Sequence, residues 1–157
     1  MGIPSGSAGT STTLDLMVKI TREAKKHLPI RLLALSLVKN NSQKDYRGEV
    51  RDLHRFVRDE IRYVKDVHGV ETLQVPEKTL EFKQGDCDDK SMLLAALLES
   101  VGHPTRFVAV GFTPKTYAHV YVETKIGDKW YPLETTEPWV PGRGPDGVVN
   151  RMVRHIN

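Results

Sequence analysis

The sequence has little cysteine, few aromatic residues and no long apolar run. Only one of its 157 residues is cysteine, so no disulfide can form within the chain. A single thiol is an inert buried group, a partner in an intermolecular bond or a reactive group. No apolar run approaches the ~20 residues that cross a membrane. Residues 1–13 also lack the basic and apolar regions of a standard export signal. We therefore expect a soluble, cytoplasmic protein without a membrane partner.

The net charge of the chain is also small. There are 23 Lys and Arg against 20 Asp and Glu, a formal charge of +3. Basic residues cluster at 25–31 and 151–155, but no aromatic residue lies among them. A nucleic-acid surface typically combines a denser basic stripe with rings on which bases stack. The two clusters are therefore interpreted as solvated helix faces, and nucleic acid is not expected as a partner.

The first half of the chain has the spacing of helices. Residues 1–11 are rich in Gly, Ser and Thr, which predicts a flexible N-terminal arm. Apolar residues at helical spacing then predict helices at about 12–27, 32–38, 46–63 and 77–82. Thr12 or Thr13 would cap the first helix, and Pro29 would separate it from the second. The segment from Gly85 to Gly102 predicts a strongly apolar helix that is central and buried.

The second half has the alternation of strands. Strands are predicted at about 107–112, 119–123 and 130–133, with a tight turn at 126–128 and a last short element at 148–156. Short connections favour an antiparallel meander. Helices followed by an antiparallel sheet predict an α+β fold, in which the cysteine-bearing helix packs on a small sheet. The length suits one domain, which we place at residues 12–157.

Cys87 lies where the central helix begins. The positive end of the helix dipole favours a thiolate there, the nucleophilic form of the side chain. Asp86, Asp88 and Asp89 act in the opposite direction, because adjacent negative charge raises the pKa of a thiol. Asp86 is expected to cap the helix, with the other two as first-turn charges. The sequence leaves two interpretations open for Cys87, a catalytic nucleophile and a small buried hydrophobe.

His119 and Glu134 follow Cys87 in the order of a thiol triad. His119 lies on an alternating strand, and Glu134 lies where the next strand ends. In a triad the imidazole removes the thiol proton and the acid orients the imidazole. His54, like the other histidines, lacks such a context and is expected to be a surface or structural residue. A metal site made from Cys87, His119 and the flanking aspartates has no familiar zinc spacing, so no metal or cofactor is predicted.

Three sequence blocks together resemble a known family. They are GDCDD followed by an apolar helix ending in VG, the strand AHVYVE, and WYPLE. In this order and approximate spacing they resemble the transglutaminase-like superfamily, whose core is related to papain-like cysteine proteases. The resemblance covers about Val50–Thr136. Within it, Ile61–Pro76 resembles the upstream segment of a bacterial and phage branch.

The resemblance implies roles for individual residues. Cys87 would be the nucleophile, His119 the base and Glu134 the orienting acid. The family usually has Asp in a motif of the Asp-Pro-Thr type, whereas this chain has Glu-Thr-Thr, a departure from the pattern. Glu137 and Glu123 are weaker substitutes. Glu123 lies four residues beyond His119, roughly 13 Å away along a strand at ~3.3 Å per residue.

An oxyanion intermediate needs hydrogen-bond donors. The backbone N–H of Cys87 is one candidate. A side chain from the preceding connection would be the second, with Gln74 expected first and Tyr63 after it.

Two functions follow from these residues. The first is a cysteine peptidase or amidase that cleaves a protein or peptide-like amide through an acyl-enzyme on Cys87, with an amine in place of water giving a transglutaminase. Hydrolysis is favoured because short bacterial and phage members lack the calcium sites and extra domains of animal transglutaminases. The alternative is a phage virion or assembly protein with an idle triad. It would be virion-associated, with phage structural proteins as partners.

Overall fold

The structure is a computed structural model that describes residues 6–65 and 73–157. Its helices are α1 (Ser7–Ala24), α2 (Leu28–Val38), α3 (Tyr46–Glu60), α4 (Pro76–Phe82) and α5 (Cys87–Ser100). Its strands are β1 (Arg62–Tyr63), β2 (Gln84–Gly85), β3 (Thr105–Gly111), β4 (His119–Ile126), β5 (Lys129–Leu133) and β6 (Asn150–His155). The described part contains no helix with the length and apolar character needed to span a bilayer. The predicted α+β fold is confirmed.

Helix α5 occupies the centre of the molecule. Every residue from Cys87 to Leu98 is buried, and the helix contacts the other four helices as well as β2, β3 and β4. Such a helix must be apolar over most of its circumference, which is why its sequence shows no polar face. It ends before Gly102, whose φ of +92° is accessible to glycine at low cost. The sequence therefore predicted both the helix and its burial correctly.

The larger sheet has the strand order β5-β4-β3-β6 and is antiparallel throughout. Val120 and Val122 of β4 face the main core together with Phe107 of β3. The three predicted strands form the expected meander. The last element adds to the opposite edge beside β3, which a meander does not predict.

Several predicted boundaries are corrected by contacts between distant segments. Helix α1 begins at Ser7, so residues 7–11 of the predicted arm are helical, and Thr10 within them is buried. Pro29 lies in the first turn of α2, where its missing N–H is not needed. Helix α3 ends at Glu60, three residues early, because β1 leaves the helix to pair in parallel with β2.

A buried lysine joins α3 to the central helix. Lys90 is 1% exposed, and its amine donates to the carbonyl oxygens of Ile61 at 2.6 Å and Arg58 at 3.4 Å. These carbonyls lie at the end of α3, where backbone acceptors have no partner within the helix. Burial lowers the pKa of Lys90 to about 8. The amine keeps hydrogens to donate in either protonation state.

A buried histidine joins α3 to the end of the sheet. His54 is fully buried, and its Nε2 lies 2.5 Å from the backbone oxygen of Glu134, just past β5. Burial lowers the pKa of His54, so the ring is neutral and Nε2–H is the donor. His54 is therefore a structural residue of the interior and not a surface residue.

We expect His54→Leu to lower the free energy of unfolding by about 1–3 kcal/mol, because the carbonyl of Glu134 would stay buried without a donor. Urea denaturation measures this change. His27→Leu is the control, since His27 is exposed and makes no side-chain capping bond. Equal stability of the two variants would show that the His54 hydrogen bond contributes nothing.

Candidate active site

A capping box fixes the start of α5 and with it the position of Cys87. The side chain of Asp86 accepts from the N–H of Asp89 at 3.0 Å, and that of Asp89 accepts from the N–H of Asp86 at 3.1 Å. The second oxygen of Asp89 accepts from the N–H of Gln74 at 2.8 Å. Gly85 makes room for this arrangement, since a Cβ there would lie 2.6 Å from that of Asp89. The structure thus places Asp86 as the predicted cap.

The thiol of Cys87 is held in its neutral form. Its sulfur is fully buried and lies 3.8 Å from Oδ1 of Asp88. Burial first, and then the charges of Asp88 and Asp86, raise the pKa of Cys87 well above its ordinary value. The backbone of Val120 acts in the opposite direction but is outweighed. The thiolate that the helix dipole favours is therefore not the resting form.

His119 and Glu134 are joined directly. Nε2 of His119 lies 2.7 Å from Oε2 of Glu134, whose side chain is 2% exposed. The other carboxylate oxygen accepts from the N–H of Thr135 and from the N–H and hydroxyl of Thr136, at 3.0–3.2 Å. Burial alone would raise the pKa of Glu134, but the bonds to His119 and Thr136 lower it below its usual value. The carboxylate is therefore charged and fixed in position.

The departure from the family's Asp-Pro-Thr pattern has a local explanation. Because Glu134 is one methylene longer than Asp, its carboxylate can fold back over the two residues that follow it. One of its donors is the N–H of Thr135, and a proline at that position would have no N–H to give. The Glu-Thr-Thr sequence thus forms a consistent unit of its own.

The orientation of His119 determines which ring nitrogen is free to act. With Nε2–H donating to Glu134, Nδ1 carries the lone pair and can accept a proton. Cys87 contacts the residue that follows His119 on the strand. Its sulfur and the hydroxyl of Ser91 both contact the backbone of Val120. Among the described residues, no hydrogen bond joins the sulfur to the imidazole. The structure therefore pairs His119 with Glu134 and places α5 against the backbone of Val120.

The two oxyanion candidates lie in different surroundings. The amide nitrogen of Gln74 donates to the hydroxyl of Thr79 at 2.9 Å and to the carbonyl of Gln84 at 2.8 Å. Both of its hydrogens are thus already donated to groups of the protein. Tyr63 lines a cleft of about 460 Å³ together with His119. Burial, followed by the negative charges nearby, raises the pKa of Tyr63, so its hydroxyl remains a donor.

The weaker acid candidates do not replace Glu134. Glu123 accepts from Arg106 at 2.6 Å and from Arg151 at 3.0 Å, so its carboxylate is already paired. Glu137 is an exposed residue that lines the cleft. In residues 6–65 and 73–157, no group of three or more His, Cys, Asp and Glu side chains is arranged to hold a metal ion.

Solved structures from three bacteria illustrate the fold that this chain shares. A candidate protease from Parabacteroides distasonis is 14% identical with a TM-score of 0.61, and the match covers 75% of this chain and 25% of that one. A candidate cysteine protease from Cytophaga hutchinsonii is 16% identical with a TM-score of 0.56, covering 81% and 50%. LapG from Legionella pneumophila, solved also in a calcium-bound form, is 15% identical with a TM-score of 0.55, covering 84% and 78%.

At these identities the likeness concerns the fold alone. The chain spans about a quarter of the Parabacteroides protein and half of the Cytophaga protein. No curated protein matches its sequence. The sequence model of the transglutaminase-like superfamily, however, matches residues 33–135, which include Cys87, His119 and Glu134. The chain belongs to the transglutaminase-like superfamily.

Proposed function

We propose that the protein is a cysteine peptidase or amidase in which Cys87 is the nucleophile, His119 the base and Glu134 the orienting acid. The observation that carries the proposal is the 2.7 Å hydrogen bond between His119 and the buried Glu134 beside a cleft. This bond fixes the imidazole in the tautomer that a thiol needs. The superfamily membership and the fold shared with LapG, a candidate protease and a candidate cysteine protease support it.

The proposed first step couples proton transfer to attack. As the sulfur of Cys87 forms a bond to the amide carbon, the thiol proton moves to Nδ1 of His119. In this proposal the hydroxyl of Tyr63 and the backbone N–H of Cys87 stabilise the oxyanion. His119 then gives its proton to the amide nitrogen, and the C–N bond breaks to leave a thioester on the sulfur.

The second step releases the acyl group. A water molecule attacks the thioester carbon and gives a proton to His119, the carbon–sulfur bond breaks, and the sulfur regains the proton. An amine in place of water would give a new amide instead. Throughout, Glu134 keeps its charge and stabilises the imidazolium that forms twice in the cycle.

The second candidate is a structural component of a phage particle, with other phage structural proteins as partners. The fully buried sulfur and its raised pKa favour this candidate, because a thiol of this kind is inert until it is exposed. The same features are compatible with an enzyme whose thiol is activated only as the base removes its proton. The two candidate functions therefore predict different outcomes for peptide cleavage and for the effect of replacing His119 on that cleavage.

We expect alkylation of Cys87 by iodoacetamide to be slow at pH 7 and to accelerate only above the free-thiol pKa of ~8.5. Asp88→Asn should shift this profile to lower pH, because the charge of Asp88 helps to raise the pKa of the thiol. Asp15→Asn, a change at an exposed residue on α1, is the control. A wild-type thiol that titrates well below ~8.5 would contradict the neutral resting form.

We expect the wild-type protein to cleave members of a fluorogenic peptide panel and Cys87→Ser to have no activity. His119→Ala should reduce kcat/KM by about 10²–10⁴-fold, because general-base catalysis contributes that much. Glu134→Ala should lose more than Glu134→Gln, whose amide oxygen can still accept from His119. Glu60→Gln, at an exposed residue of α3, is the control. The panel is run with calcium and with EGTA, because LapG is known in both states.

Full activity in Cys87→Ser would exclude the proposed nucleophile. A folded wild-type protein that cleaves nothing under either condition would favour the phage structural component.

A further inference from the structure

The cleft beside His119 has a charge opposite to that of the chain. The whole sequence carries +3, yet the cleft is lined by three carboxylates and by no Lys or Arg. Glu134 is bound to His119. The other two, Glu137 and Asp146, are exposed and form no ion pair with any residue in the described ranges. Two carboxylates beside the imidazole are thus left for a cation from outside.

Aromatic rings line the same cleft. Tyr63 and Phe112 are 39% and 41% exposed, and Trp139 lies with them. Aromatic faces attract guanidinium and ammonium groups. Trp139 already does so within the chain, since the guanidinium of Arg143 lies 4.2 Å from the centre of its ring. Arg143 is not among the residues that line the cleft, so it does not occupy the space between the rings and the carboxylates.

Rings together with carboxylates match the two parts of a basic side chain. The apolar stem of Lys or Arg packs on rings while its charged end reaches polar groups. The volume of about 460 Å³ is that of a pocket for a small ligand, which gives room for one such side chain and its backbone. An acidic side chain would meet like charge, and an aliphatic one would leave the carboxylates without a partner.

We propose that this cleft is a subsite for a Lys or Arg side chain of the substrate, close to the amide that Cys87 attacks. The inference rests on the proposed function and adds the class of substrate to it. Glu137 and Asp146 bind the charge, and Tyr63, Phe112 and Trp139 bind the stem. Specificity then depends on a charge that His119 and Glu134 do not supply, since they are already paired with each other.

The test uses sets of peptides that are identical except at one position. That position carries Lys, norleucine, Arg, citrulline or Glu, and each position of the peptide is varied in turn. At one position we expect kcat/KM to be about 3- to 30-fold higher for Lys than for norleucine, and for Arg than for citrulline, with Glu the poorest. Glu137→Gln combined with Asp146→Asn should abolish this preference, so that kcat/KM becomes equal for the Lys and norleucine peptides. Glu60→Gln, a carboxylate outside the cleft, should keep the preference.

Binding is measured separately from turnover with Cys87→Ala, by titration calorimetry of the Lys and norleucine peptides. Tighter binding of the Lys peptide, lost when Glu137 and Asp146 are neutralised, supports the subsite even if no peptide is cleaved. Equal binding of both peptides overturns it, even if the wild-type protein cleaves them. Absence of cleavage by the wild-type protein counts against the proposed function alone.

Discussion

The burial of α5 on all sides is the constraint on which the rest of the structure depends. A helix that contacts four other helices and three strands can place a side chain with little freedom, and its first residue is Cys87. The polar groups at its start need partners for the same reason. The capping box of Asp86 and Asp89 supplies them, and Asp89 extends the network to the connection before α4 through Gln74. The burial of α5 therefore determines both the position of Cys87 and the charged groups around its thiol.

The same packing favours the protonated form of the Cys87 thiol. Burial, together with the charges of Asp88 and Asp86, stabilises the thiol over the thiolate, so a preformed ion pair with His119 is not the resting state. The paired His119 and Glu134 are the complementary part, because a fixed, charged carboxylate stabilises the imidazolium as soon as the proton is transferred. The reactivity of such a site is low until the proton has an acceptor aligned with it. Under the proposed function, the sulfur would stay protected between turnovers.

Local patterns predicted the elements of the fold, and contacts between distant segments account for what they missed. The apolar run after Cys87, the period-two alternation of β4 and the carboxylate at the end of β5 were visible in the sequence. His54 and Lys90 gave no signal, because each acts on a backbone carbonyl dozens of residues away. The amide of Gln74 is held by Thr79 and Gln84, a geometry that no spacing indicates. The helix dipole favours a thiolate, but the burial of the sulfur has the larger effect and raises the pKa of Cys87.

The central claim is that an acyl group is carried by Cys87 with the help of His119, and acid-quenched mass spectrometry during peptide turnover tests it most directly. The account predicts an adduct with the mass of the acyl half of the peptide, mapped to Cys87 and strongly reduced in His119→Ala. An unmodified Cys87 at every time point, or an adduct that forms equally well without the imidazole, would contradict it.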